Sequence, residues 1–336
     1  MRIVILGFGV VGQSFAKLLL SRSADMYSQY GMKPRVVACV DNAGSAIAPA
    51  GLDLKRLLET KKIKGTVGAY ENGGTNFNPL QVAEKVDAEV MLECTPTNLN
   101  DGEPATSHLT VAMRSRKHVI CVNKGPLALA FPSLIELANY NGVMLRFSGT
   151  VGGGTPILEF AKRCLKGDSI ISFHGILNGT TNYILSKMEE GRTYDGAMND
   201  AKEEGYAEAN ASLDVEGFDA AAKLVIMANW VMGMKVTMKD VKRTGIVNVG
   251  LPDVKNAARR GNAVKLLALC DRRRLAVAPA EVSKADPLCV NGTLNAVTFS
   301  SEHSGQQTII GRGAGGMETA SAILRDLIEI RDAIFG

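Results

Sequence analysis

The stretch MRIVILGFGVVGQSF, residues 1–15, decides the fold. A short apolar run from Ile3 to Leu6 leads straight into Gly7-Phe8-Gly9-Val10-Val11-Gly12, and an amphipathic segment carrying Phe15, Leu18 and Leu19 follows. A G-x-G-x-x-G pattern between a strand and a helix is the setting in which it binds a dinucleotide. Gly7 permits the tight turn, Gly9 lets a pyrophosphate approach the backbone, and Gly12 lets helix and strand pack closely. The helix then offers free N–H groups and the positive end of its dipole to the phosphates. Out of context the pattern is weak. Here it predicts a dinucleotide site on residues 7–12.

Outward from that turn, strand and helix signals alternate. RVVACVD (35–41), AEVMLECT (88–95), KHVICVN (117–123) and GVMLRFS (142–148) are apolar runs of the kind buried on both faces of a parallel sheet. LDLKRLLE (52–59), PATSHLTVAMRSR (104–116) and PSLIELANYN (132–141) read as helices between them. The pattern predicts an α/β domain over 1–148, a Rossmann-type doubly wound parallel sheet. Past Gly149 the texture changes. TVGGGTP (150–156) is a glycine-dense loop before a helix starting near Pro156, and SIISFHGIL (169–177) alternates like a strand packed on one face. Helices are expected near 180–190, 194–204 and 217–232, and strands at LAVAPAEVS, AVTFSSE and QQTIIGRG. We therefore expect an α+β substrate-binding and dimerisation domain with a mixed sheet over 149–310. Residues 311–336, with a closing helix at 316–334, should return to the dinucleotide-binding domain.

Composition narrows the function classes. The 336 residues are 46% hydrophobic, with a net charge of +4. The basic residues are scattered, the densest run being Arg272-Arg273-Arg274, so a nucleic-acid face is not expected. Cys39, Cys94, Cys121, Cys164, Cys270 and Cys289 show no C-x-x-C spacing and read as reduced thiols of a cytoplasmic protein. The first strand begins within the first residues given, so no signal or transit peptide is expected. LVIMANWVM (224–232), the longest apolar run, is shorter than the roughly 18 residues a membrane span needs. His108, His118, His174 and His303 are dispersed, without metal-ligand spacing.

Several residues carry candidate chemistry. Asp41 ends the second strand, where an acid accepts the ribose hydroxyls of the cofactor and favours NAD. Arg22, Lys33 and Arg35 lie near enough in sequence to keep NADP open. Glu93-Cys94-Thr95-Pro96-Thr97 follows a strand and should edge the nicotinamide, with Cys94 read as structural. Asn123-Lys124-Gly125-Pro126 follows the next strand, and a loop lysine there can meet a phosphate or a reacting oxygen. The segment EEGYAEANASLDVEGFDAAAK (203–223) crowds Glu208, Asp214, Glu216 and Asp219 before Lys223. Asp219 and Lys223 share a helix face at i and i+4. On a solvated helix such a pair contributes only about 0.2–0.5 kcal/mol. The apolar flanks Ala220–Ala222 and Leu224–Ala228 instead predict a buried helix, where a lysine is costly unless paired or at a polar cavity. Burial also tunes a lysine toward acid–base work. Carbonyls around the TVGGGT glycines could hold a hard alkali cation, or the loop could be a hinge.

Taken together, GFGVVG (7–12), ECTPT (93–97), VNKGPLA (122–128), SGTVGGGTPI (148–157), GILNGTTNYIL (175–185), the acidic segment ending at Lys223 and GRGAGGMETA (311–320) resemble homoserine dehydrogenases over nearly the whole chain. The resemblance implies NAD(P)-dependent interconversion of L-homoserine and L-aspartate 4-semialdehyde, on the way to threonine and methionine. It assigns Lys223 as general acid/base, Asp219 as its partner, and Glu208 and Asp214 to the substrate. Lys124 would lie between nicotinamide and substrate, and Thr95 and Gly315 at the cofactor. A sodium-type cation would be held by backbone carbonyls of Ser148, Val151, Gly153 and Thr155. Ser148 stands where the family often has glutamate, which removes a charged side chain. A homodimer is expected, and no regulatory module that senses threonine. Two other readings remain: another dehydrogenase of amino acids or sugars on the same fold, or a dinucleotide-binding sensor without turnover. The segment from Glu208 to Lys223 separates them, because the nucleotide half is common to many families.

Overall fold

The computed structural model describes residues 1–70, 77–208 and 210–335. It divides into two compact units, Met1–Thr150 with Gly315–Gly336, and Val151–Ala314. The expected divisions lay at 148/149 and 310/311.

The first unit runs β1 (Arg2–Leu6), α1 (Val10–Ser21), α2 (Ser23–Tyr30), β2 (Arg35–Asp41), β3 (Gly44–Ile47), α3 (Leu54–Lys64), α4 (Pro79–Lys85), β4 (Val90–Glu93), α5 (Ala105–Arg114), β5 (His118–Cys121), α6 (Lys124–Asn141) and β6 (Leu145–Arg146). Its sheet has the order β3-β2-β1-β4-β5-β6. All neighbours pair in parallel except β2 and β3, which form an antiparallel edge hairpin. The strand order reverses between β1 and β4, the switch point at which such sheets bind ligands beyond their carboxyl ends. Leu6 aligns with Glu93, and Glu93 with Cys121. The residues that follow these three strands therefore start from one edge. Ile3, Ile5, Phe8, Phe15, Leu19 and Leu92 fill the core, each worth roughly 1.5–3 kcal/mol when fully buried.

Three local readings needed correction. The run at 142–148 pairs only over Leu145–Arg146, and Ser148 instead begins a 3-10 turn. Lys124 is not on a loop. Asn123 caps the helix by accepting the Gly125 N–H, and α6 begins at Lys124 and kinks at Ala130 ahead of Pro132. The hairpin strand β3 gave no signal, being only four residues, the first three with small side chains.

In the second unit a single α turn (α7, Ile157–Glu159) is followed by β7 (Ile170–Ile176), α8 (Gly179–Glu189), α9 (Tyr194–Glu203), α10 (Ser212–Val215), α11 (Phe218–Met232), β8 (Lys242–Arg243), α12 (Leu251–Arg259), β9 (Asn262–Asp271), β10 (Leu275–Ser283), β11 (Leu294–Ser301) and β12 (Gly305–Arg312). Its mixed sheet has the order β12-β11-β7-β9-β10-β8, antiparallel except where β8 joins β10. Left-handed glycines bracket α11, Gly217 at φ 82° and Gly233 at φ 65°. The longest strand, β9, went unread because Lys265 interrupts its apolar run. That lysine is 0% exposed, and its ammonium donates to Asn182 Oδ1 at 3.0 Å and Asn291 Oδ1 at 2.9 Å. Burial holds its pKa below the ordinary lysine value. The chain closes with α13 (Gly316–Phe335), which packs on α1 in the first unit and buries Ile323, Leu327 and Ile330.

Candidate active site

In the first unit the glycine turn is built on the neighbouring strand. Gly7 has φ +96°, and a Cβ there would lie 2.5 Å from the Cys94 carbonyl oxygen. A Cβ on Gly12 would lie 2.4 Å from Gly7 O. Gly9, which caps α1, is different: among the described residues a Cβ there meets nothing within 4 Å. Val10 beside it is 73% exposed, while Phe8 is buried and Val11 half-buried. Close backbone packing at Gly7 and Gly12 with open space at Gly9 is what a pyrophosphate cradle requires. The Cys94 thiol donates to Gly7 O at 2.8 Å. Desolvation raises its pKa well above the ordinary thiol value, so it is no activated nucleophile.

Asp41 ends β2 as expected, with its side chain 5% exposed. Its oxygens are already engaged. Oδ1 accepts from Thr66 Oγ1 at 2.8 Å and Ala43 N at 3.0 Å, and Oδ2 from Lys61 Nζ at 2.7 Å and Val67 N at 2.9 Å. Four bonds match the acceptor capacity of a carboxylate. Ribose hydroxyls would have to displace one of them, and Lys61 offsets the charge that would repel a 2′-phosphate. Burial alone would raise this carboxyl, but the Lys61 ammonium and the N–H donors outweigh it and hold the pKa below the usual range. Its contribution to stability is therefore present above the unfolded value of about 3.9 and lost as pH falls through the lower folded value. Asp41→Asn should lower the urea midpoint at pH 7, with the gap to the unaltered protein narrowing below about pH 4. An equal gap at both pH values would contradict this.

In the second unit a buried polar cluster forms around α11. Lys223 is 7% exposed. Its ammonium lies 2.7 Å from Asp219 Oδ2 and donates to Leu177 O at 2.7 Å. Asn178, the N-cap of α8, donates through Nδ2 to Asp214 Oδ1 at 2.6 Å and to Asp219 Oδ2 at 2.9 Å. Its Oδ1 accepts the Thr181 N–H at 2.9 Å. Asp219 sits in the first turn of α11, where the helix dipole favours a negative charge. Two of the three ammonium protons of Lys223 thus have partners among the described residues. Asp214 and Asp219 thus place two carboxyl groups beside the Lys223 ammonium. Glu208 is exposed, on the stretch between α9 and α10, and lies outside this hydrogen-bonded cluster; Ala209 next to it is outside the described residues. Asn178 was not singled out in the sequence, although an asparagine just before a helix is a capping signal.

The glycine loop divides between the units. Ser148 belongs to the first, and Val151, Gly153 and Thr155 to the second. Ser148 N donates to Asp326 Oδ2 at 3.0 Å, and its hydroxyl donates to Asp326 Oδ1. The carboxyl group that serine lacks is thus supplied beside it by Asp326, on α13. Gly152 and Gly153 have positive φ. Thr155 donates its hydroxyl to Arg312 O at 3.1 Å, and its carbonyl accepts the Ile157 N–H. Gly315, at φ +137°, precedes α13. Among the described residues no group of three or more His, Cys, Asp or Glu could hold a metal, and no helix is long and apolar enough to cross a membrane.

A doubly wound sheet with a glycine turn at its switch point, and a separate α+β unit carrying a buried lysine–aspartate pair, define a dinucleotide-binding oxidoreductase. The homoserine dehydrogenase family model matches residues 156–328. A glutamate/leucine/phenylalanine/valine dehydrogenase model matches residues 1–114, the half that many dehydrogenases share. The chain is 44% identical to a homoserine dehydrogenase of Methanocaldococcus jannaschii, over 98% of each chain. It is 37% identical to an NAD(+)-dependent homoserine dehydrogenase of Pseudomonas canavaninivorans, over 99% of this chain and 96% of that one. A crystal structure of a putative homoserine dehydrogenase from Archaeoglobus fulgidus superposes with a TM-score of 0.90 at 39% identity, covering 98% of this chain and 99% of that one. A hyperthermophilic archaeal homoserine dehydrogenase in complex with NADPH gives 0.86 at 29% identity, over 100% and 98%. The chain belongs to the homoserine dehydrogenase family.

Proposed function

We propose that this chain interconverts L-homoserine and L-aspartate 4-semialdehyde with a nicotinamide dinucleotide. The observation that carries it is the buried Lys223–Asp219–Asn178–Asp214 cluster, in which two of the three Lys223 ammonium protons have partners among the described residues. When bound, the dinucleotide supplies or takes the hydride. In the reductive direction Lys223 donates a proton to the aldehyde oxygen as charge develops there; in the oxidative direction its amine receives the hydroxyl proton. Asp219 and the Leu177 carbonyl aim the ammonium, and Asn178 holds Asp219. Asp214 and Glu208 bind the substrate's ammonium group, and Lys124 steadies substrate and nicotinamide. Gly7 to Gly12 would cradle the pyrophosphate, with Asp41 toward the ribose and Thr95 and Gly315 at the cofactor.

Carbonyls of Ser148, Val151, Gly153 and Thr155 are the proposed ligands of a sodium-type cation. The donor set is hard oxygen, as an alkali ion requires, with the Asp326 carboxylate on Ser148. A cytoplasmic homodimer completes the reading. Absorbance of the reduced nicotinamide tests the central claim. Homoserine as sole substrate should drive its appearance, and leucine or glutamate should not; no turnover with homoserine overturns the assignment. Parallel assays with NAD and NADP settle cofactor preference.

A further inference from the structure

Glu93 closes β4 with 0% exposure, and no step above uses it. Withdrawing a carboxylate from water costs several kcal/mol unless it is paired and hydrogen-bonded. An apolar residue would end a central strand at far lower cost. Here the two oxygens hold different elements. Oε2 lies 2.7 Å from Nδ1 of His108 on α5, itself 2% exposed. Oε1 accepts the Thr95 N–H at 2.8 Å and also the Thr95 hydroxyl, folding the chain back directly after the strand.

Asn123 grips the same turn from the end of β5. Its Nδ2 donates to Thr95 O at 3.1 Å and Pro96 O at 3.0 Å, and its Oδ1 accepts the Gly125 N–H at 2.9 Å, capping α6 just ahead of Lys124. The glycine turn rests there too, because a Cβ on Gly7 would lie 2.7 Å from Thr95 N. One buried turn therefore sets the relative position of the glycine loop, Thr95 and the start of α6.

We propose that His108 and Glu93 are a positioning pair that sets the nicotinamide end of the cofactor site, acting through Thr95 and Asn123 without touching the cofactor. The proposal rests on the placement of Thr95 and Lys124 at the cofactor given above. An asparagine at 108 places an N–H donor near the position of Nδ1 and keeps the bond to Glu93. A leucine keeps bulk and leaves Oε2 unpaired. A glutamine carries its donor one bond too far.

The test measures kcat, both KM values, dinucleotide affinity by titration and Tm for the full chain and for His108→Leu, His108→Asn and His108→Gln. His108→Leu should raise the dinucleotide KM about tenfold or more and lower kcat several-fold, with the homoserine KM changed less than about twofold. His108→Asn should recover most of both. A fall in Tm with unchanged dinucleotide KM overturns the proposal, as does equal behaviour of the Leu and Asn variants. If His108→Leu does not fold, the Asn and Gln variants carry the comparison, and equal KM values in them overturn it. Lack of dinucleotide binding by the unaltered chain would overturn the underlying cofactor reading, and the proposal with it.

Discussion

Replacing Lys223 by methionine is expected to lower kcat by about 10²–10⁴-fold while dinucleotide affinity stays within about twofold. Methionine nearly preserves the volume inside α11, whose neighbouring residues 220–222 and 224–228 are all buried. The substitution removes the only group in the cluster able to give a proton to the substrate oxygen. Asp219 retains Asn178 as a donor at 2.9 Å, so its carboxylate is not stranded, whereas the Leu177 carbonyl loses its partner. The stability loss should then be about 1–3 kcal/mol, well short of unfolding a domain of this size. Steady-state rates in both directions, with a titration of the reduced dinucleotide, separate the two quantities. Turnover near that of the unaltered protein would reject Lys223 as acid/base. Weakened dinucleotide binding would place it elsewhere in the mechanism.

Alanine at Gly9 should raise the dinucleotide Kd by about 10–100-fold, a loss of roughly 1.4–2.7 kcal/mol, without lowering Tm. The backbone there is extended, at φ −80°, and the added methyl meets no protein atom within 4 Å. Among the described residues it therefore obstructs nothing, and its effect falls on a ligand lying on the turn. Gly7→Ala should behave in the opposite manner. That methyl would sit 2.5 Å from a backbone oxygen at a φ of +96°, so the turn and β4 must shift and Tm should fall. Thermal unfolding with and without dinucleotide distinguishes them. If Gly9→Ala binds normally, the pyrophosphate does not lie where the glycine pattern puts it.

Much of this is legible in the sequence alone. The glycine turn at 7–12 can be read because each glycine answers a local steric demand. The buried strands of the first sheet can be read because parallel pairing between helices leaves continuous apolar runs. The pairing of Asp219 with Lys223 follows from helical spacing in an alanine-rich, apolar segment. Strand β9 was missed because its fully buried lysine imitates a surface position. Its ammonium is satisfied by Asn182 and Asn291, residues no periodicity connects to it.

Local periodicity and glycine placement were enough to identify the dinucleotide half and the lysine-bearing helix, since those depend on residues within a turn or two of each other. The partners of each polar group were another matter. Asp41 is held by Lys61 and Val67, Asp219 by Asn178, Ser148 by Asp326 and Glu93 by His108. Each such bond joins separate elements, and its geometry is set by how strands align and helices pack. A hydrogen bond of about 3 Å tolerates little displacement, so these contacts exist only once the chain has folded around them.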